Sequence, residues 1–153
     1  MKKIIFKLIM IVTLAVTVLV PTVCYASYGS TIPADVAGSR SDIITIKRPE
    51  SLSACTSDKT YTISATGAQG TLIKIYKLDP SANVGKLVTS ERLIGASGLY
   101  SSVVELNDDN NTFIVYAEKD SSSQVVNVSI NKIKKSTIDR LKNVTVTIRN
   151  FLR

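Results

Sequence analysis

Four consecutive oxygen-bearing side chains, Asp108, Asp109, Asn110 and Asn111, form the densest set of hard-ion ligands in this chain of 153 residues. Calcium takes oxygens of that kind, but an EF-hand loop alternates its ligands and ends on a bidentate Glu, and neither feature is present. The run therefore reads as a solvated turn. Two carboxylate pairs, Glu91 with Glu105 and Glu118 with Asp120, have the groups that glycoside hydrolysis uses. That chemistry needs a fixed separation across a cleft, so without one they read as surface charge. The chain contains no histidine, which removes the commonest general base and the commonest transition-metal ligand together. No catalytic, cofactor-binding or metal-ligating residue is assigned, and no cofactor is expected.

The strongest charge feature lies at the C-terminal end. From residue 132 onward, Lys132, Lys134, Lys135, Arg140, Lys142, Arg149 and Arg153 are opposed by Asp139 alone, a net of +6. Apolar Ile138, Leu141, Ile148, Phe151 and Leu152 are interleaved with them. Cationic charge combined with apolar surface is what a segment needs to hold an anionic surface, either membrane headgroups or a phosphate-bearing wall polymer. An amphipathic terminal element packed on a domain, with its charges in water, gives the same pattern, and both readings stay open. Nucleic acid is not expected, because the rest of the chain offers no broad basic surface and no aromatic stacking platform.

The N-terminus sets the compartment. Met1, Lys2, Lys3 and Lys7 make a positive start, Ile4 to Val20 is almost wholly apolar, Pro21 breaks the run, and Ala26 precedes Ser27. This is the pattern of a secretory signal peptide cleaved after Ala26. An uncleaved anchor would use a longer apolar run. An acylated Cys24 would be preceded by smaller residues than Pro21-Thr22-Val23. After cleavage the formal charge of +7 falls to +4 with the loss of three lysines, and Cys55 is the single remaining thiol. No internal disulfide can form, so packing must supply the stability. The thiol reads first as buried and inert, then as an inter-chain bridge, then as reactive.

The remaining elements are strands. Residues 27–41, SYGSTIPADVAGSRS, show no apolar period and read as a flexible leader. Ile44 and Ile46 alternate with polar residues up to Pro49, and Tyr61, Ile63 and Ala65 alternate with Thr62, Ser64 and Thr66. Gly70 to Lys77 follows a turn containing Gly67 and Gly70, which predicts a hairpin. Lys86 to Ile94, with Glu91-Arg92, predicts an exposed edge strand. Tyr100 to Leu106, Thr112 to Glu118 and Gln124 to Ile133 complete about seven strands, which predicts an all-β, immunoglobulin-like antiparallel sandwich over residues 42–133. In the basic tail of residues 134–153, Ser136 reads as the N-cap of a short helix over Thr137 to Asn143. Val144 to Ile148 fits a strand as well as a helix.

The segments ISATGAQGTLIKIYK (Ile63 to Lys77), GLYSSVVELNDDNNTFIVYAEKD (Gly98 to Asp120) and SQVVNVSINKI resemble bacterial Ig-like modules of secreted and wall-associated proteins, including the type appended to glucodextranase. The resemblance covers about residues 42–133 and departs at Asp108-Asp109, where such modules often carry Gly. It implies a non-catalytic binding or structural module of the cell envelope or extracellular space, whose partner is a cell-wall polymer, a membrane surface or an extracellular protein. The loops around Asp79 to Gly85 and Asn107 to Asn111 are the expected recognition surface. The competing expectations are a carboxylate-based enzyme or enzyme inhibitor, and a subunit that assembles by pairing an exposed edge strand with a neighbour.

Overall fold

The computed structural model describes residues 28–107, 109–138 and 140; the expected signal segment and the end of the tail lie outside them. In chain order the strands are β1 (Thr31–Pro33), β2 (Ile44–Arg48), β3 (Ser53–Thr56), β4 (Thr60–Gly67), β5 (Leu72–Asp79), β6 (Val84–Leu87), β7 (Arg92–Leu93), β8 (Leu99–Glu105), β9 (Asn110–Lys119) and β10 (Ser122–Lys132). The larger sheet runs β1-β6-β5-β9-β10-β3 with β7 also beside β5, and the smaller runs β2-β4-β8. These two sheets form an all-β, immunoglobulin-like sandwich.

Alternation places one side of each sheet in the core. From the smaller sheet come Ile44, Ile63, Ala65, Tyr100 and Val104; from the larger come Ile73, Ile75, Phe113, Val115, Ala117, Val128 and Ile130, all buried in one cluster. Burying each large member contributes about 1.5–3 kcal/mol. Gln124 bridges the sheets where β10 begins. Its Oε1 accepts the Ile43 and Ile44 amides at 2.7 Å each, and its Nε2 donates to the Ile44 carbonyl at 3.1 Å. A buried amide with three such bonds satisfies backbone groups that β2 would otherwise leave unpaired at its start.

Several expectations change. The strands on either side of Gly67 and Gly70 do not form a hairpin: β4 belongs to the smaller sheet and β5 to the larger. Ile63 and Ala65 meet Ile73 and Ile75 across the core, so the turn carries the chain from one sheet to the other. The expected strand over Lys86 to Ile94 is two, β6 and the two-residue β7, and β6 is covered by β1 rather than lying at an edge. Pairing is not antiparallel throughout, since β3 runs parallel to β10 with Ala54 opposite Ile130. In the tail, residues 135–138 are helical, and the Lys134 carbonyl accepts the amides of Thr137 and Ile138 at 2.9 and 3.4 Å. Ser136 is inside that turn and is not its cap.

The largest revision concerns residues 28–41. Rather than standing clear of the core as a leader, they cross the outer face of the larger sheet. Ile32 is 1% exposed and packs with Tyr76, Ile114 and Tyr116, while Tyr28 and Val36 flank them. Close approach is possible because Gly85 and Gly38 carry no side chain. A Cβ on Gly85 would lie 2.7 Å from Ile32 Cγ2, and one on Gly38 would lie 2.7 Å from backbone atoms of Gln124 and Val125. The composition of this strap hid its role, since a single isoleucine between small and polar residues shows no period.

Candidate functional site

Four of the seven cations expected to hold an anionic surface fall among the described residues. Lys132 closes β10 opposite Thr56 of β3. Its Nζ donates to the Leu106 carbonyl at 2.9 Å, so it braces the end of the sandwich and is half-buried. Lys134, Lys135 and Arg140 are exposed. Lys142, Arg149 and Arg153 lie outside the described residues.

The same end of the molecule gathers the two loops expected to recognise a partner. Antiparallel pairing of β5 with β9 sets Lys77 opposite Phe113, so the segment after Asp79 lies beside the turn before Asn110. Asn110 and Asn111 belong to β9 and not to that turn, and Asn111 is 1% exposed. Between the loops is a depression of about 520 Å³ lined by Lys77, Asp79, Lys86, Val88 and Asn110. Asp79 holds its own loop closed: Oδ1 accepts from the Ser81 amide at 3.2 Å and the Ser81 hydroxyl at 2.6 Å, and Oδ2 accepts from Lys86 Nζ at 3.1 Å. The Ser81 hydroxyl and the Lys86 ammonium hold its carboxyl down at about 2. It therefore stays an acceptor and a fixed negative charge.

Round the edge, a second depression of about 430 Å³ is lined by Cys55, Asp109, Asn131, Lys134 and Thr137. The Cys55 thiol is exposed, which overturns the expectation of a buried one. Its strand β3 is the last of the sheet, and position 55 faces outward beside Asn131.

The carboxylates weighed as catalytic pairs are employed separately. Glu91 is bound to Lys74 of the larger sheet at 2.7 Å, whereas Glu105 ends β8 in the smaller one. Glu118 accepts from the Tyr116 hydroxyl at 3.3 Å, and Asp120 stands in the following turn at φ 47°. Among the described residues, no three Asp, Glu or Cys side chains are grouped to hold a metal ion.

One polar constellation escaped sequence reasoning. Lys74 is 1% exposed on the outer face of β5, and its Nζ donates to the Tyr28 carbonyl at 2.7 Å while pairing with Glu91. The Tyr76 hydroxyl donates to the same carbonyl at 3.0 Å, and the Tyr28 ring meets Tyr116 edge-on at 5.5 Å. Burial first, then the Glu91 charge, pushes the Tyr76 hydroxyl up to about 12. Burial first, then Glu118, does the same to Tyr116. These groups clamp the strap to the sheet. The available signal was LIKIYKL, where apolar or aromatic residues at successive positions imply a strand covered on both faces.

No family model matches the chain, nor does any curated protein or solved structure.

Proposed function

We propose that this protein is an exported, non-catalytic immunoglobulin-like binding or structural module of the cell envelope or extracellular space, held at an anionic surface by its basic C-terminal segment. The observation that carries the reading is the convergence at one end of the sandwich. The loops after Asp79 and before Asn110 and the exit of the tail after Lys132 lie together there, with Lys134, Lys135 and Arg140 exposed. Lys134, Lys135 and Arg140 belong to no strand of the sandwich, so their charges are not part of its sheets. Lys132 is the exception, because its amine already serves the Leu106 carbonyl. The attracting chemistry is a phosphate or carboxylate array, and the attraction weakens as salt screens it.

The test is fractionation of producing cells that express the native chain or one in which Lys134, Lys135, Arg140, Lys142, Arg149 and Arg153 are replaced by Gln. The native protein is expected to begin at Ser27 by mass spectrometry and to remain with the envelope until released by high salt. The neutralised variant is expected in the medium, folded. Equal release of both would defeat the attachment reading and turn the search to soluble ligands of the two loops.

A further inference from the structure

We infer that β8 is a self-pairing edge through which two copies of this chain join their smaller sheets into one antiparallel sheet, with Ser101 on the two-fold axis. This goes beyond surface attachment and uses a different part of the molecule.

The other sheet margins carry devices that discourage pairing. β1 has three residues and ends in Pro33; β7 has two and β3 has four. β2 breaks register between Ile46 and Arg48 and carries Lys47 and Arg48. In contrast, β8 (LYSSVVE) runs seven residues without a bulge, a proline or a cation, and among the described residues no strand lies on its far side.

The register fixes which backbone groups face that open side. Gly67 donates to the Gly98 carbonyl at 3.0 Å, and Leu106 donates to the Lys59 carbonyl at 2.8 Å. Along the intervening ladder, Tyr100, Ser102 and Val104 therefore direct their N–H and C=O groups to β4. Leu99, Ser101, Val103 and Glu105 direct theirs outward. Of these amides, Leu99 already has a local acceptor, Ser97 Oγ at 3.3 Å.

The side chains at the same positions choose the partner and its register. Leu99 and Val103 are 64% and 62% exposed, on one face two pleats apart with Ser101 between them. Antiparallel pairing with Ser101 opposite itself sets each Leu99 against Val103 of the second copy. Both apolar residues are then covered by cross-strand pairs, with about four new backbone hydrogen bonds donated by the Ser101 and Val103 amides of the two copies. Sliding one copy by two residues sets Leu99 against Glu105 in one direction and against Ser101 in the other, so the pairing of Leu99 with Val103 is lost either way. In the favoured register the two Glu105 carboxylates, the only charges on the strand, lie at opposite ends of the joined strands.

The test uses the full protein recovered from producing cells, followed by sedimentation velocity and amide hydrogen exchange across a concentration series. The Ser101 and Val103 amides are expected to gain protection as concentration rises, while Ser102 stays constant. Val103→Lys is expected to weaken association by about tenfold or more. Leu99→Glu combined with Val103→Lys is expected to restore it, because this register sets the introduced carboxylate of each copy against the introduced ammonium of the other. A monomer at about 1 mM, where only association weaker than roughly 4 kcal/mol escapes notice, would overturn the proposal. So would association untouched by Val103→Lys. Failure of the double variant to recover would overturn the register. Envelope retention is unaffected by any of these outcomes, so this proposal and the attachment reading fail separately.

Discussion

The outer faces of the two sheets have opposite fates. On the larger sheet, the residues that alternate with the core set are Lys74, Tyr76 and Leu78 on β5 and Ile114 and Tyr116 on β9, and the strap of residues 28–36 covers much of this face. On the smaller sheet the corresponding positions are Thr62, Ser64 and Thr66 on β4 and Leu99, Ser101 and Val103 on β8, and no element covers them among the described residues. A face of small hydroxyl residues can remain in water, whereas a face of tyrosines and isoleucines needs a cover. The molecule thus has an inter-sheet core, a roofed second cluster, and a bare face with two exposed aliphatic residues at its edge.

The hierarchy can be tested by removing one group from each. Phe113→Ala, in the middle of the inter-sheet core, is expected to cost about 3–5 kcal/mol in chemical denaturation. Ile32→Ala should cost less, about 2 kcal/mol, because the strap is held by a three-residue strand and can lift from an otherwise intact sandwich. Hydrogen exchange in β1 and β6 should rise while β4 and β9 stay protected; global exposure instead would mean that roof and core are one cooperative unit.

Lys74→Met keeps the stem of the side chain and removes its charge. Breaking a wholly buried pair costs several kcal/mol, but the Glu91 side chain is 51% exposed and would stay solvated. The expected loss is therefore about 1 kcal/mol, for the bond to the Tyr28 carbonyl.

Alkali should act on the same region. Tyr76 and Tyr116 titrate near 12 against an ordinary 10. The unfolded chain would lose these protons first, so their contribution is complete below about pH 10 and is lost as pH rises from 10 to 12. Ultraviolet titration should show two late tyrosines, and Ile32→Ala should bring both earlier. On the bare face, Thr62→Val is expected to change stability by no more than about 0.5 kcal/mol.

The sequence alone determined the β-class and most strand positions, because residue parity along a strand is a local property. Ile63 and Ala65, Phe113 and Val115, and Val128 and Ile130 were readable as core-facing before any partner was known. The same reading located the basic segment, although Lys132 turned out to brace the Leu106 carbonyl. Parity says which way a side chain points but not which strand lies beside it. Gly67 to Gly70 therefore looked like a hairpin turn, although the chain changes sheets there. Only the tertiary structure decided that Ile32 fills the space over Gly85, that Lys74 is buried against a carbonyl 46 residues away in sequence, and that the far side of β8 has no strand beside it among the described residues. Each of these depends on contacts between segments far apart in the chain, and no periodicity within one segment encodes them.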